Sequence, residues 1–476
     1  MSVDGERELP AGWAWATLED VAQWGSGGTP KATEPAYYGG RIPWVVIGDL
    51  NDSVLVRTEQ TISEDGLSSS SAKWVPQDSV LIAMYGASIG KLGLPSKPVT
   101  TNQAIAHALP YREVMDRKYL FWYLRSQRTD LIGAGKGGAQ QNISQTVLKS
   151  WPITVPPLAE QRRIVEVLEE QLSRLDSGIA TLRLARRRLD GLRKRILVSS
   201  VPDELPASWE MATVEEAGTL ELGRARHPDW HHGPDMRPYL RVANVFEDRI
   251  DTSDVMEMDF SGVWERYRLE PGDVLLNEGQ SPHLVGRPAI YRGVPEDVAF
   301  TNSLLRFKAG DGVLPEWALL VFRRHLHAKR FMREVRITTN IAHLSAKRLK
   351  TVEFPIPPVE VQEQRVQRCE ELLSGVAAME QEVSNGVRRA NALRAALLNR
   401  AFRGGLVAQQ PDDEPASMFL ARIAAERAAQ PKARRSRKAT AEKLAKAPAP
   451  RAAPPELLAP EPTATPALAV QQEFDL

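Results

Sequence analysis

The chain has 476 residues, and its 61 basic and 60 acidic side chains leave a formal net charge of +1. Its 42% hydrophobic and 25% charged residues are typical of a folded protein and exclude a collagen-like or wholly disordered chain. The single cysteine, Cys369, excludes an internal disulfide framework and a cysteine-rich zinc site. No apolar run reaches the roughly 20 residues of a membrane span. We therefore predict a cytoplasmic protein of about three domains, whose balanced charge gives no global indication of nucleic-acid binding.

The sequence contains one unit twice, with a period of roughly 200 residues, which is too long for a solenoid repeat. Leu9-Pro-Ala-Gly-Trp13 returns as Leu205-Pro-Ala-Ser-Trp209, and Ile42-Pro-Trp44 returns as Arg237-Pro-Tyr239. Further collinear matches join residues 78–82 to 272–276, 101–103 to 301–303, and 141–144 to 339–342. We interpret the chain as two copies of a globular domain, each followed by a helix.

Each globular part is predicted to be mixed α/β. Short β-branched and aromatic segments, such as Trp44–Ile47 and Val80–Ala83, alternate with Gly, Pro, Asn and Asp. Helical patterns follow at Lys118–Ser126 and Glu316–Val335. A Pro-Pro step at 156–157 or 357–358 then ends each domain, because proline cannot continue a strand ladder and disfavours helix just before it.

After each Pro-Pro step, apolar residues recur at alternating three- and four-residue steps over about four heptads, which is typical of a coiled coil. Each stretch would span ~60 Å as a helix. The chain returns through a globular domain between them, so we predict an antiparallel pair. The alternatives are packing on the helix's own domain or an intermolecular coil. The predicted seam is Leu168, Leu172, Leu175, Ile179, Leu182, Leu189 and Ile196 against Leu372, Val376, Met379, Val383, Leu393 and Leu397.

Residues 405–476 form an Ala/Pro/Lys/Arg-rich tail that we predict to be mostly disordered, with one short helix within Asp413–Ala429. A basic block between Lys432 and Arg451 indicates either a solvated tail or a non-specific contact to phosphates.

Signatures of catalysis are missing from the sequence. Gly86–Leu92 resembles a phosphate-binding loop but has neither its spacing nor the Ser or Thr after Lys91. The segment His227–Asp235 gathers possible metal ligands, but its two prolines give no indication of converging donors. We predict a polar loop there, and no catalytic or metal site in the chain.

Several segments resemble motifs of the specificity subunit of type I restriction–modification systems, HsdS. They are Gly27-Gly28-Thr29-Pro30 running to Trp44, Tyr85–Lys91, Thr101–Ile105, and Gln140–Ser144 running to Pro156–Val165. The second half repeats the scheme but departs at its helix start, where Val359–Gln364 stands in place of Leu158-Ala-Glu-Gln161. The resemblance covers residues 9–404.

The resemblance implies an α+β protein with two tandem target-recognition domains at 1–155 and 201–355, each reading one half of a bipartite site in double-stranded DNA. It implies spacer helices at 156–200 and 356–404 that set the gap and dock the partners. Those partners would be methyltransferase (modification) subunits using S-adenosylmethionine and a restriction/translocase subunit using ATP and Mg. This chain would be non-catalytic and hold no cofactor. A protein-binding scaffold and the specificity subunit of a methyltransferase-only complex are the alternatives.

Base readout needs Arg or Lys for guanine and Asn or Gln for adenine. The predicted DNA-binding residues of the first half are Tyr85, Lys91, Asn102, Lys136, Gln140, Gln141 and Asn142. Those of the second half are Asn277, Gln280, Arg287, Asn302, Arg336, Thr339 and Asn340. The asparagines that recur in both halves leave open a purely structural turn role.

Overall fold

The protein is described from a computed structural model, in which residues 8–136, 141–202, 204–338 and 341–429 are described. Two compact units divide at Leu420, and the second contributes only the end of one helix to the described residues. The domain limits given above stay predictions. Most of the predicted tail, residues 430–476 with the basic block, lies outside the described ranges.

The first half is mixed α/β, as predicted. Its strands are β1 (Ala14–Thr17), β2 (Ala22–Ser26), β3 (Tyr38–Val45), β4 (Ser53–Leu55), β5 (Gln60–Ile62), β6 (Val80–Ala83), β7 (Leu92–Pro95), β8 (Thr100–Thr101), β9 (Ile105–Pro110) and β10 (Pro152–Val155). Its helices are α1 (Leu18–Val21), α2 (Glu64–Ser68), α3 (Arg117–Ser126), α4 (Arg128–Gly133), α5 (Gln145–Lys149) and α6 (Leu158–Ser199). Among these described elements, the sheets have the orders β2-β9-β6-β7-β4, β5-β3-β8 and β1-β10.

The second half follows the same plan. Its strands are β11 (Glu210–Thr213), β12 (Gly218–Leu222), β13 (Met236–Leu240), β14 (Val245–Phe246), β15 (Arg249–Ile250), β16 (Met256–Asp259), β17 (Val274–Asn277), β18 (Gly279–Gln280), β19 (Pro288–Ile290), β20 (Ala299–Phe300), β21 (Leu304–Ala309), β22 (Arg336–Thr338), β23 (Ile341–His343) and β24 (Glu353–Ile356). Its helices are α7 (Val214–Ala217), α8 (Trp264–Tyr267), α9 (Pro315–His327), α10 (Ala346–Leu349), α11 (Val359–Ala401) and α12 (Ala416–Ala429). The sheets have the orders β12-β21-β17-β19, β16-β13-β20, β18-β23-β22, β11-β24 and β14-β15.

Strand register shows that the two halves are equivalent and corrects one of the sequence matches. Val45 of β3 pairs with Thr101 of β8, and the corresponding Leu240 of β13 pairs with Phe300 of β20. Asn102 therefore corresponds to Thr301, not to Asn302 as the sequence match suggested. The sequence match was off by one residue because a motif as short as Thr-Asn can recur beside the equivalent position. The pairing of the strands identifies the equivalent residues directly.

The two long helices pack against each other and run antiparallel, as predicted. Arg193 bonds Glu380 at 3.2 Å, Asp176 pairs with Arg394, and Arg365 bonds the carbonyl of Ser200 at 3.0 Å. As the residue number increases along α6, the number of its contact residue on α11 decreases, so the two helices are antiparallel. At midlength the backbone of Gly386 approaches Leu182 so closely that an added Cβ would lie 3.0 Å from its Cδ1.

The predicted seam holds for α6, but half of it is wrong for α11. Leu372, Met379 and Leu393 are 40%, 47% and 51% exposed, whereas Val376 is 1% exposed. A different heptad series on α11 is buried or half-buried throughout, although Gly386 of the predicted series also faces α6. Its members are Val366, Cys369, Leu373, Val376, Glu380, Val383, Val387, Ala390, Arg394, Leu397 and Ala401. The hydrophobic pattern missed this phase because two of these positions carry charges that pair across the helices.

A buried glutamine at the start of each long helix sets its rotation and ties it to its domain. Gln161 donates to the carbonyls of Val114 and Pro156 at 2.8 and 2.9 Å and accepts from the Asp116 N–H at 2.8 Å. Gln362 donates to the carbonyls of Gly312 and Pro357 at 2.8 Å each and accepts from the Leu314 N–H at 2.9 Å. The equivalent hydrogen bonds align Gln161 with Gln362, so the two helix starts differ at the three residues before the glutamine, 158–160 and 359–361.

The carboxyl end of each long helix enters the core of the other half. Leu197 of α6 belongs to the cluster that contains Trp209 and Trp317 of the second half. Phe402, directly after α11, packs edge-on against Tyr119 and Tyr123 at 5.3 and 5.4 Å. Both helices are therefore held at both ends. None of the helices in the described part of the chain is long and apolar enough to cross a membrane.

Candidate nucleic-acid interface

Several polar loops meet at one end of the large sheet in the first half, where its strands begin and end. We call this end the polar edge of the sheet. Ser26 of β2 pairs with Ala106, and Ala83 of β6 pairs with Ile105, so the end of β2, the end of β6 and the start of β9 meet there. The loops at 27–31, 84–91 and 102–104 consequently lie at this edge. The opposite edge is joined to the antiparallel pair of α6 and α11, which we call the rod. There α1 follows β1, the Leu18 N–H donates to the Trp151 carbonyl at 3.0 Å, and β10 leads through the Pro-Pro step into α6.

A hairpin brings most of the predicted readout residues of the first half to this edge. Lys136 and Asn142 exchange two backbone hydrogen bonds of 2.9 Å, and the Gly86 N–H donates to the Gln141 carbonyl at 2.8 Å. Tyr85 bridges Asn142 in the same small ladder. These four side chains, Tyr85, Lys136, Gln141 and Asn142, are exposed. Gln140, which we predicted as a further contact, lies outside the described residues.

Arg128 holds the turn that carries Lys91. Its guanidinium donates to the Gly90 carbonyl at 2.9 and 2.7 Å and makes two hydrogen bonds to Asp52, whose carboxylate also accepts from the Leu92 N–H at 3.0 Å. Burial acts to raise the pKa of Asp52, but the hydrogen bonds from Arg128 and Leu92 outweigh it, and the pKa is lowered. Lys91 is exposed on this pre-organised turn.

Asn102 lies at the same edge but has an internal role. Its Oδ1 accepts from the Ala104 N–H at 3.2 Å, which is the turn role left open by the sequence. The neighbouring Gln103 is exposed and bonds the hydroxyl of Thr29. Sequence reasoning missed Gln103, although it follows the asparagine directly in the motif.

The second half presents the corresponding edge. Leu222 of β12 pairs with Leu305, and Asn277 of β17 pairs with Leu304. This edge therefore brings together the loop after β12, the turn before β21 and the small sheet β18-β23-β22. Gln280 and Asn302 lie here, the first half-buried and the second exposed.

Two predicted contacts of the second half are wrong. Asn277 is fully buried, and its Nδ2 donates to the Val245 carbonyl at 3.4 Å. Arg287 is also buried, with its guanidinium 4.6 Å from the ring centre of Phe246. Both residues belong to the strands that form the core sheet or lead into it, so their side chains pack inside the domain and do not face a DNA surface.

The hairpin of the second half corrects another sequence match. The N–H of Ile143 donates to Met84, and the N–H of Leu344 donates to Glu278, at 2.9 and 2.8 Å in equivalent ladders. Leu344 is fully buried and Ile341 is 49% exposed. Residues 141–144 therefore correspond to 342–345, not to 339–342, and Asn142 corresponds to His343. Thr339 and Asn340 lie outside the described residues, and of Arg336 only the backbone is described, in β22.

Arginines stacked on aromatic rings shape the loop after β12. The Arg224 guanidinium lies 4.1 Å from the Trp230 ring and 5.1 Å from the Phe260 ring, and it donates to the Asp259 carbonyl. Trp230 thereby anchors the loop His227–Asp235, whose three histidines are exposed. Within the described residues no group of three or more His, Cys, Asp or Glu side chains could hold a metal ion. The arrangement is that of an ordered polar loop.

Comparison with known proteins identifies the family. Residues 10–181 match the type I restriction modification DNA specificity domain. The chain is 25% identical to the EcoKI specificity subunit of Escherichia coli K12 over 90% of its own length and 99% of that protein. It is 24% identical to the StySPI specificity subunit of Salmonella potsdam, with the same two coverages.

Solved structures agree in fold. A chain from a type I restriction–modification system is matched over 84% of this chain and 100% of that one, with a TM-score of 0.67 at 20% identity. The HsdS subunit of Thermoanaerobacter tengcongensis is matched over 84% of this chain and 99% of that one, with a TM-score of 0.52 at 19% identity. The duplicated motifs, the paired long helices and these matches together support one conclusion: residues 10–181 carry the type I DNA specificity domain, and the chain is similar over most of its length to HsdS specificity subunits.

Proposed function

We propose that each half reads one half of a bipartite site in double-stranded DNA. The observation that carries the proposal is the occurrence of two equivalent polar edges, one on each half, at the end of the sheet away from the rod. Exposed Tyr85, Lys136, Gln141 and Asn142 on one edge, and Gln280, Asn302 and His343 on the other, supply the donors and acceptors that base readout requires.

The rod would set the length of the unread gap. Gln161 and Gln362 hold the starts of the helices, and Leu197 and Phe402 anchor their ends. A rod held at four points transmits its length to the separation of the two edges, just as domain spacing mirrors half-site spacing in other bipartite readers.

The rod would also dock the partner subunits. Leu372, Met379 and Leu393 are spaced by multiples of seven along α11 and stay half exposed beside the seam. An apolar stripe on a helix pair fits an amphipathic helix of another chain. We propose that modification subunits and a restriction/translocase subunit supply the chemistry with S-adenosylmethionine, ATP and Mg, and that this chain is non-catalytic, binds no cofactor and works in the cytoplasm where the DNA is.

A footprint of the assembled complex on DNA tests the two-reader proposal. We expect two protected half-sites separated by an unread gap, and a single continuous short site would contradict it. Exchange of residues 1–155 for another first domain should change one half-site only. A change in both halves would refute the independence of the domains.

The salt dependence of binding separates DNA recognition from a protein-binding scaffold. Phosphate contacts release counterions, so the affinity of the complex should fall steeply as salt increases. Salt-insensitive binding without retention of DNA would favour the scaffold. Methylation without ATP-dependent cleavage by the complex purified from its host would favour a methyltransferase-only complex.

A further inference from the structure

We propose that His343 reads a base in the half-site of the second domain, at the position that Asn142 occupies in the first. This inference rests on the proposed recognition function and deepens it. It names a specificity-determining residue that the sequence match missed, because that match placed the short motif three residues too early.

The equivalence of His343 and Asn142 follows from backbone pairing. Asn142 bridges both Tyr85 and Lys136 in the hairpin of the first half. His343 pairs with Gly279 of β18 and with Arg336 of β22 in the second half. Each residue is thus the middle member of a small three-stranded ladder at the edge of the sheet. Each is followed by a buried aliphatic residue, Ile143 or Leu344, and then by the serine that precedes a short helix.

The imidazole of His343 is held in place from two sides. Its Nδ1 lies 3.2 Å from the Oε2 of Glu278, a carboxylate that is only 22% exposed. Its ring also lies against Gly279, where an added Cβ would stand 3.1 Å from Nδ1 and 3.2 Å from Cε1. The histidine side chain itself is 44% exposed, which leaves Nε2 as the ring nitrogen for a ligand.

This arrangement is suited to base recognition and differs chemically from that of Asn142. An imidazole whose Nδ1 is engaged by a carboxylate offers a single polar atom, Nε2, and a base edge presents single donors or acceptors in the major groove. The amide of Asn142 offers a donor and an acceptor together, which suits adenine. Different groups at equivalent positions are what two domains need in order to read different half-sites.

The test uses the full chain assembled with the modification subunits of its own host. Methylation is followed on a DNA library in which one half-site at a time is randomised. We expect His343→Asn to lower methylation of the cognate second half-site tenfold or more, to change the preferred base at one position there, and to leave the first half-site within twofold. Glu278→Gln should weaken the same preference, because it loosens the ring. Asn142→His should change one position of the first half-site only.

Matched measurements keep the outcomes distinguishable. His283→Asn, at an exposed histidine of the neighbouring turn, should change no base preference, and all variants should bind random DNA within twofold of the parent chain. An unchanged second half-site in His343→Asn, or equal losses on cognate and random DNA, would overturn the role of His343 alone. A parent complex with no preference at either half-site would overturn the recognition function as well.

Discussion

The buried glutamine at the start of each long helix offers the sharpest test of how the rod is attached. Gln362 is fully buried and makes three hydrogen bonds, two to the carbonyls of Gly312 and Pro357 and one from the N–H of Leu314. Gln362→Leu keeps a similar volume but removes the partners of the buried Pro357 carbonyl, of the N–H of half-buried Leu314 and of the carbonyl of exposed Gly312, which water can replace. Each buried group left unpaired costs about 1–3 kcal/mol, and a carbonyl with a second lone pair falls at the low end. We therefore expect a loss of about 2–4 kcal/mol in the free energy of unfolding of the second half.

The assay is urea unfolding followed by tryptophan fluorescence, since Trp209 and Trp317 lie in the core of that half. Gln364→Leu, two positions further on α11 and exposed, is the matched control and should change stability by less than about 0.5 kcal/mol. Hydrogen exchange at Leu314 should accelerate in Gln362→Leu only. Equal stability of the two variants would refute the stabilising role of the three Gln362 hydrogen bonds and the alignment of Gln161 with Gln362.

The remaining predictions concern the seam, the gap and the response to pH. Val376→Ala removes a buried side chain and should destabilise the chain by roughly 1–2 kcal/mol, whereas Met379→Ala should cost less than about 0.5 kcal/mol; the reverse order in thermal unfolding would restore the predicted seam. Insertion of one heptad into both helices should lengthen the rod by ~10 Å and the unread gap by roughly three base pairs, and an unchanged gap in methylation-site sequencing would show that the rod does not set it. Burial, with a smaller effect from Lys73, lowers the pKa of His107 to about 4, so the unfolded chain takes up the proton first as the pH falls. Stability that is present above pH ~6.5 should therefore be lost towards pH ~4, by roughly 2–4 kcal/mol, and an unchanged pH slope of the urea midpoint in His107→Leu would contradict this.

Local and repeated features of this protein were determined by its sequence alone. The two Pro-Pro steps and the heptad pattern placed both long helices within a few residues of their observed bounds, because proline and hydrophobic periodicity act on the backbone within one or two turns. The duplicated motifs predicted two equivalent domains and the family. The glycines and amides of residues 136–142 indicated a polar loop whose backbone could approach DNA closely.

Only the tertiary structure decided which polar residues face outward and which face of each long helix is buried. Asn277 and Arg287 have the residue types of DNA readers, but strand pairing directs them into the core, and periodicity cannot reveal that in a sheet covered on both faces. The buried face of α11 is fixed at its start by Gln362, whose three partners lie about fifty residues away or in the Pro-Pro step itself. His343 takes the position of Asn142 because hydrogen bonds between strands, not sequence letters, determine which residue stands at the centre of the ladder.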